Sequence, residues 1–207
     1  MNIQLSDHFT YSRLIRFVIP SVAMMIFTSI YGVVDGLFVS NFVGKTPFAA
    51  VNLIIPFCMI LGAFGFMFGT GGTALVAKTL GEGKKERANQ IFSMLIYVAL
   101  LLGILLALFG IVFVEPIALK LGADAAMLGY CVKYARVVLL GLPFFMLQNM
   151  FQSFLIAAEK PKMGLMVTIA AGVTNMVLDA LFIAIFRWGV VGTAAATALS
   201  QFVGGVV

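Results

Sequence analysis

Long apolar runs, repeated six times along 207 residues, leave this chain almost no choice of solvent. A helix needs about 20 consecutive apolar residues to cross the hydrocarbon of a bilayer. None of these runs shows the period-two alternation of a transmembrane barrel strand. The expected fold class is therefore all-α, an integral membrane bundle of six transmembrane helices. The segments cover about 12–42, 47–80, 88–114, 127–158, 162–186 and 190–207. Pro20 is expected to kink the first, and the glycines of GFMFGTGG either to interrupt the second or to let it pack closely. EPIALKLGAD, after the third, reads as a short amphipathic element at an interface. Composition agrees: 62% of residues are hydrophobic and 10% charged, whereas soluble domains are roughly 45–50% apolar.

Several function classes fall away. Cys58 and Cys131 lie in apolar stretches without the spacing of a redox or zinc motif, so they are expected to be buried thiols. GTGGT follows no strand and lacks the lysine of a phosphate-binding loop. No nucleophile–base pair can be picked out, which argues against an enzyme and against a cofactor. The net charge of +5 comes from residues gathered at segment ends, without interleaved exposed aromatics, which argues against a nucleic-acid partner.

Those charges instead report topology. Arg13 and Arg16, then Lys78, Lys84, Lys85 and Arg87, then Lys160 and Lys162 fall on one side of the bilayer. Lys45, Lys120 and Arg187 fall on the other, with Lys133 and Arg136 inside the start of the fourth segment. By the positive-inside rule the N-terminus is cytoplasmic, and segments 1, 3 and 5 run outward through the plasma (inner) membrane. The basic loop GEGKKERAN also suits anionic lipid headgroups. His8, Glu115 and Asp124 read as interfacial. The polar start MNIQLSDHFTYSR precedes a span too long for a cleaved leader, so the first helix is expected to stay. The last segment runs to FVGGVV with no polar flank, which suggests a fragment or half of something larger.

Two carboxylates inside the spans demand a reason, since a charge near the bilayer centre costs on the order of 2.5–3.5 kcal/mol on insertion scales. At about 1.5 Å per residue, Asp35 sits roughly 29 Å beyond Arg16 and Asp179 roughly 26 Å beyond Lys162, so both reach one level in the outer half. Asn175 and Asp179 share a helix face, as do Thr28, Tyr31 and Asp35. Thr193, Thr197 and Gln201 form one stripe in the last segment, and Gln148 with Gln152 and Asn149 with Ser153 add polar faces in the fourth. Only a protein-lined or watery cavity could satisfy so many polar faces. Carboxylate, amide carbonyl and hydroxyl are hard oxygen ligands for a small cation. A carboxyl in a low-dielectric site can also hold a proton near neutral pH. The expectation is a cation or proton site; the plainer reading is that Asp35 tethers helices and Asp179 hydrogen-bonds a neighbour. Methionines near the cavity, such as Met146 or Met176, would give it an adaptable apolar wall.

The runs IPSVAMMIFTSIYGVVDGLFVSNFVG, AKTLGEGKKERANQ, AAEKPK, TNMVLDALFI and GVVGTAAATALSQ, in that order, resemble the multidrug and toxic compound extrusion (MATE) family. The resemblance implies a secondary antiporter that exports organic, often cationic compounds in exchange for Na⁺ or H⁺. It implies a body of twelve helices in two six-helix lobes, of which this chain matches the N-terminal one. A C-terminal lobe or a second copy of the chain is then the expected partner, together with the lipid bilayer. It also implies that Asp35, Asn175 and Asp179 form the cation or proton site, with Asp35 and Asp179 the ligands if the ion is Na⁺. Tyr31, Gln148, Asn149, Gln152, Ser153, Thr193 and Thr197 are the candidate supporting groups. Two other readings stay open: a flippase for lipid-linked precursors, which would be expected to line its cavity with more basic residues, and a homo-oligomeric passive channel or assembly module.

Overall fold

The computed structural model describes residues 11–206, apart from the side chain of Arg13. The readings of His8 and of the Arg13 side chain lie outside the described residues. Among these there is no strand. The helices are α1 (Tyr11–Phe38), α2 (Lys45–Gly81), α3 (Lys85–Lys120), α4 (Ala125–Leu140), α5 (Leu142–Ala157), α6 (Pro161–Asp179) and α7 (Val190–Val206). α1 and α6 each continue into a stretch of π-helix, Val39–Val43 and Ala180–Ile185. α1, α2, α3 and α6 are long and apolar enough to cross a membrane, each with its π extension where it has one; α4 and α5, bent by 55° at Gly141, are long and apolar enough to make a fifth if taken together. α7 is a shorter apolar helix of 17 residues.

Two local expectations are corrected, and of the two readings of GFMFGTGG the close-packed one holds. The reading of one helix over 127–158 becomes two, because α7 crosses too closely for a straight one: a methyl on Gly141 would lie 3.0 Å from the Ala198 Cα. EPIALKLGAD is not a separate element; α3 runs through Pro116 to Lys120, and the chain turns at Gly122, whose φ of +101° suits glycine. GFMFGTGG does not break α2. Its glycines form a groove against α5 instead: a methyl on Gly65 would sit 2.6 Å from the Met146 Cα, and one on Gly69 3.1 Å from the Met150 Cα. Small residues let membrane helices approach to backbone contact, where dispersion replaces the missing hydrophobic drive.

The core that follows is continuous from α2 through α3, α4 and α5, around Ile54, Val114, Leu139 and Met146. Cys58 and Cys131 are buried in it as free thiols, and the Cys131 thiol donates to the Ala50 carbonyl at 3.3 Å. α1 stands to the side and packs on α6. There Gly172 meets Phe27 and Tyr31, and Gly164 meets Met24. The pairs 24 with 164 and 31 with 172 advance together, so the two helices run parallel in near register. That register puts residue 35 beside residues 176–179.

The groove between α2 and α5 generates a stability prediction. Gly65→Val forces a branched side chain into the Met146 backbone and should destabilise the fold by about 3 kcal/mol or more. Gly71→Ala, where a methyl would meet nothing within 4 Å, should leave thermal stability unchanged. Thermal unfolding in detergent, read by near-ultraviolet circular dichroism, compares the two.

Candidate functional site

A cavity of about 650 Å³ lies between α1, α2, α4, α5, α6 and α7. α1 contributes Thr28, Tyr31 and Asp35; α5 contributes Gln148, Asn149 and Gln152; α6 contributes Thr168 and Asn175; α7 contributes Thr197, Ser200 and Gln201. Among its lining residues Asp35 is the one carboxyl, and none is a lysine or arginine. The apolar wall holds methionines, although not those expected: Met24, Met25 and Met59 line the space. Met146 is instead fully buried against the α2 glycines, and Met176 is not part of the lining. The mouth opens between α1 and α2, where Met25 and Met59 are exposed.

Asp179 lies beside Asp35, close enough for each carboxyl to feel the other, but is set behind the cavity lining. Asp179 is completely buried, and Asn175, one turn earlier on α6, is 2% exposed. Neither carboxyl oxygen of Asp179, nor Oδ1 of Asp35, nor Oδ1 of Asn175 meets a hydrogen-bond donor. Between two carboxyls the one bond available is carried by a shared proton, because two bare carboxylates repel. The arrangement is thus a set of hard oxygen acceptors, gathered by the parallel register of α1 and α6 and left without donors. Such a set can close around a small cation or hold a proton.

The candidate supporting groups divide. Tyr31, Gln148, Asn149, Gln152 and Thr197 line the cavity. The Asn149 amide nitrogen is committed to the Phe145 carbonyl at 2.8 Å, and the Gln152 amide donates to Thr168 at 3.0 Å. Ser153 donates to the Asn149 carbonyl at 3.2 Å and packs on Gly69, away from the carboxyl pair. Thr193 is fully buried with its hydroxyl unpartnered and is not part of the lining. The residue that sequence reasoning passed over is Tyr134. It is 4% exposed on α4, beside the Thr197 side chain and within the field of both Asp35 and Asp179. Its signal was present: a tyrosine amid apolar residues needs a partner for its hydroxyl. Lys133 and Arg136, on either side of it, drew the topological argument instead.

The MatE family matches residues 20–181. This chain belongs to that family. The multidrug export protein MepA of Staphylococcus haemolyticus is 28% identical over 196 residues, covering 95% of this chain and 43% of MepA. Among solved structures, MATE in the straight conformation superposes with a TM-score of 0.84 at 28% identity, over 92% of this chain and 42% of that one. A MOP superfamily transporter from Pyrococcus furiosus, described as having a binding pocket of reversed polarity that suggests a different function, superposes with a TM-score of 0.83 at 27% identity, over 93% of this chain and 42% of that one. The chain therefore spans less than half the length of these relatives and corresponds to their N-terminal half, one lobe of a MatE transporter. Membership makes the chain part of a multi-pass membrane protein, in a family whose members are transporters and not enzymes.

The position of Tyr134 yields a test. Tyr134→Phe removes one hydroxyl beside the carboxyl pair while keeping the ring that packs there. Losing a hydroxyl dipole within the field of both carboxyls should change how the melting temperature depends on Na⁺ and pH, while the melting temperature itself stays nearly the same; an unchanged dependence would mean that the Tyr134 hydroxyl plays no part at the pair.

Proposed function

We propose that this lobe belongs to an antiporter that exports organic, often cationic compounds, and that Na⁺ or H⁺ entering at Asp35, Asn175 and Asp179 couples the gradient to export. One observation carries the reading: Asp35 lines a 650 Å³ cavity, the fully buried Asp179 lies beside it behind that lining, and both carboxyls have oxygens with no donor. An apolar pocket of that size with a few convergent polar groups suits a small organic ligand. The single carboxylate of its lining favours a cationic one.

Coupling requires that the ion bind the inward- and outward-open states with different affinity, since a ligand with equal affinity for both shifts nothing. A carboxyl pair does this if its separation changes between the states. Closed together it accepts one proton or one cation; drawn apart it loses that shared ligand. The rest of the pathway needs a second body to rock against, and the remaining half of a full-length relative is its source; a second copy of this chain is the other candidate. The positive-inside bias orients the N-terminus and the Lys84 and Lys160 loops toward the cytoplasm of a plasma-membrane protein, with the carboxyl pair in the outer half.

The flippase reading expects basic residues around the cavity, and among the described residues no lysine or arginine lines it. Export of a cation is the better fit to that lining. A passive channel would pass current without any dependence of efflux on an ion gradient.

In the full-length transporter, Asp35→Asn and Asp179→Asn are each expected to abolish gradient-driven efflux of a fluorescent organic cation while the protein still reaches the membrane. Wild-type efflux from a well-expressed double variant would sink the site assignment.

A further inference from the structure

Lys133 and Arg136 stand where neither the fold nor the export reading requires a charge. Both lie on α4 inside the span formed with α5, and both are exposed. Among the described residues neither makes an ion pair or a side-chain hydrogen bond. They belong to one stripe of the helix, Gly129, Lys133, Arg136 and Leu140, spaced i, i+4, i+7, i+11 and exposed throughout. The opposite face carries Cys131, Tyr134, Ala135 and Val138, all buried. The positive-inside rule does not explain the pair, because it sits toward the end of the bundle with fewer basic residues.

Depth narrows the possibilities. The contact of Cys131 with the Ala50 carbonyl sets residue 131 level with the sixth residue of α2. α2 has 37 residues, about 55 Å of helix against a hydrocarbon core of about 30 Å, so a centred span leaves roughly 12 Å beyond the core at each end. Lys133 then lies about 10 Å and Arg136 about 15 Å from the Lys45 end of α2. The two cations bracket the boundary between hydrocarbon and headgroups. A lysine and an arginine there extend their heads toward the phosphate layer.

We propose that Lys133 and Arg136 form a binding site for the phosphate of an anionic phospholipid in the leaflet at the Lys45 end. Their Cβ atoms are one turn apart, about 5–6 Å, which lets both heads converge on one phosphate. The guanidinium supplies a planar fork for two phosphate oxygens and the ammonium a point charge for a third. A methyl added at Gly129, one turn above, would meet nothing within 4 Å, which leaves room on the helix surface for the glycerol. An anionic headgroup suits two cations better than a zwitterionic one, whose own ammonium competes for the phosphate. A carboxylate on a second protein body is the less favoured occupant. Such a body would close the cavity mouth between α1 and α2, whereas this stripe lies on the side of α4 turned away from the cavity.

The test is native mass spectrometry of the delipidated chain titrated with phosphatidylglycerol. Lys133→Gln/Arg136→Gln is compared with wild type and with Lys84→Gln/Lys85→Gln at the opposite end of the bundle. At roughly 1 kcal/mol for each basic residue near the headgroups, the α4 double variant should bind its first phosphatidylglycerol about 30-fold more weakly. The Lys84/Lys85 variant should keep that first site. Phosphatidylcholine and inorganic phosphate should each fail to displace the lipid. Because both side chains are exposed, the variant should keep its melting temperature; if it does not fold, Lys133→Arg/Arg136→Lys, which keeps both charges, should retain binding, and Arg136→Gln alone should weaken it. Equal phosphatidylglycerol affinity in the charge-neutral α4 variants and wild type would overturn the proposal. So would displacement by inorganic phosphate, which would make this a free-anion site, or loss of the lipid in the full-length transporter with Lys133 cross-linked to a carboxylate of its other half.

Discussion

Hydrocarbon offers no hydrogen bonds, and that single property organises this lobe. A polar side chain inside a span must find its partner within the protein. Most of them here turn back to the carbonyl one turn earlier on their own helix: Ser29 to Met25, Asn52 to Phe48, Thr79 to Leu75, Asn149 to Phe145, Thr168 to Gly164 and Thr174 to Ala170. Against that economy the acceptors left unmatched stand out. Asp179, the Oδ1 atoms of Asp35 and Asn175, and the Gln201 carbonyl are buried without a donor. An acceptor held that way in a dry site is costly unless something positive arrives. On the proposed reading, the unmatched oxygens beside the cavity form one device whose partner is a cation or a proton.

What holds the device in place is helix approach at glycine. Gly65 and Gly69 bring α2 onto α5, Gly172 brings α6 onto α1, and Gly192 brings α7 onto Phe182. The first contact builds the rigid wall of the cavity; the second sets the register that pairs Asp35 with Asp179. α1 carries one carboxyl yet stands apart from the main core, packed chiefly on α6, with much of its length exposed. The carboxyl pair therefore bridges the main bundle and its most loosely attached helix. A change in occupancy acts where the least packing resists it.

Much of this was legible in the sequence. Apolar run length determines the all-helical class, because only helices of that length satisfy their backbone in lipid. The shared level of Asp35 and Asp179 follows from rise per residue and two outward-running helices. The neighbourhood of Asn175 follows from helical spacing. Less legible were features set by contact between helices. Gly141 as a break and Gly65 as a groove look alike in sequence, and what separates them is that α7 crosses at Gly141 while α5 lies alongside at Gly65. Pro116 looked like an end of α3 and is tolerated inside it. The roles of Ser153 and Thr193 depended on which side of a helix faces the cavity, and Tyr134 drew attention only once its hydroxyl was seen beside Thr197.

The central claim is that the Asp35–Asp179 pair exchanges a proton or a cation, and infrared difference spectroscopy of the purified chain tests it most directly. On lowering the pH from about 10 to about 5, a protonated carboxyl band should appear that Na⁺ suppresses if it competes for the pair, and Asp179→Asn should remove that band. A spectrum in which no carboxyl band responds to pH or Na⁺, or in which the responding band survives in the Asp179→Asn and Asp35→Asn variants, would contradict the account.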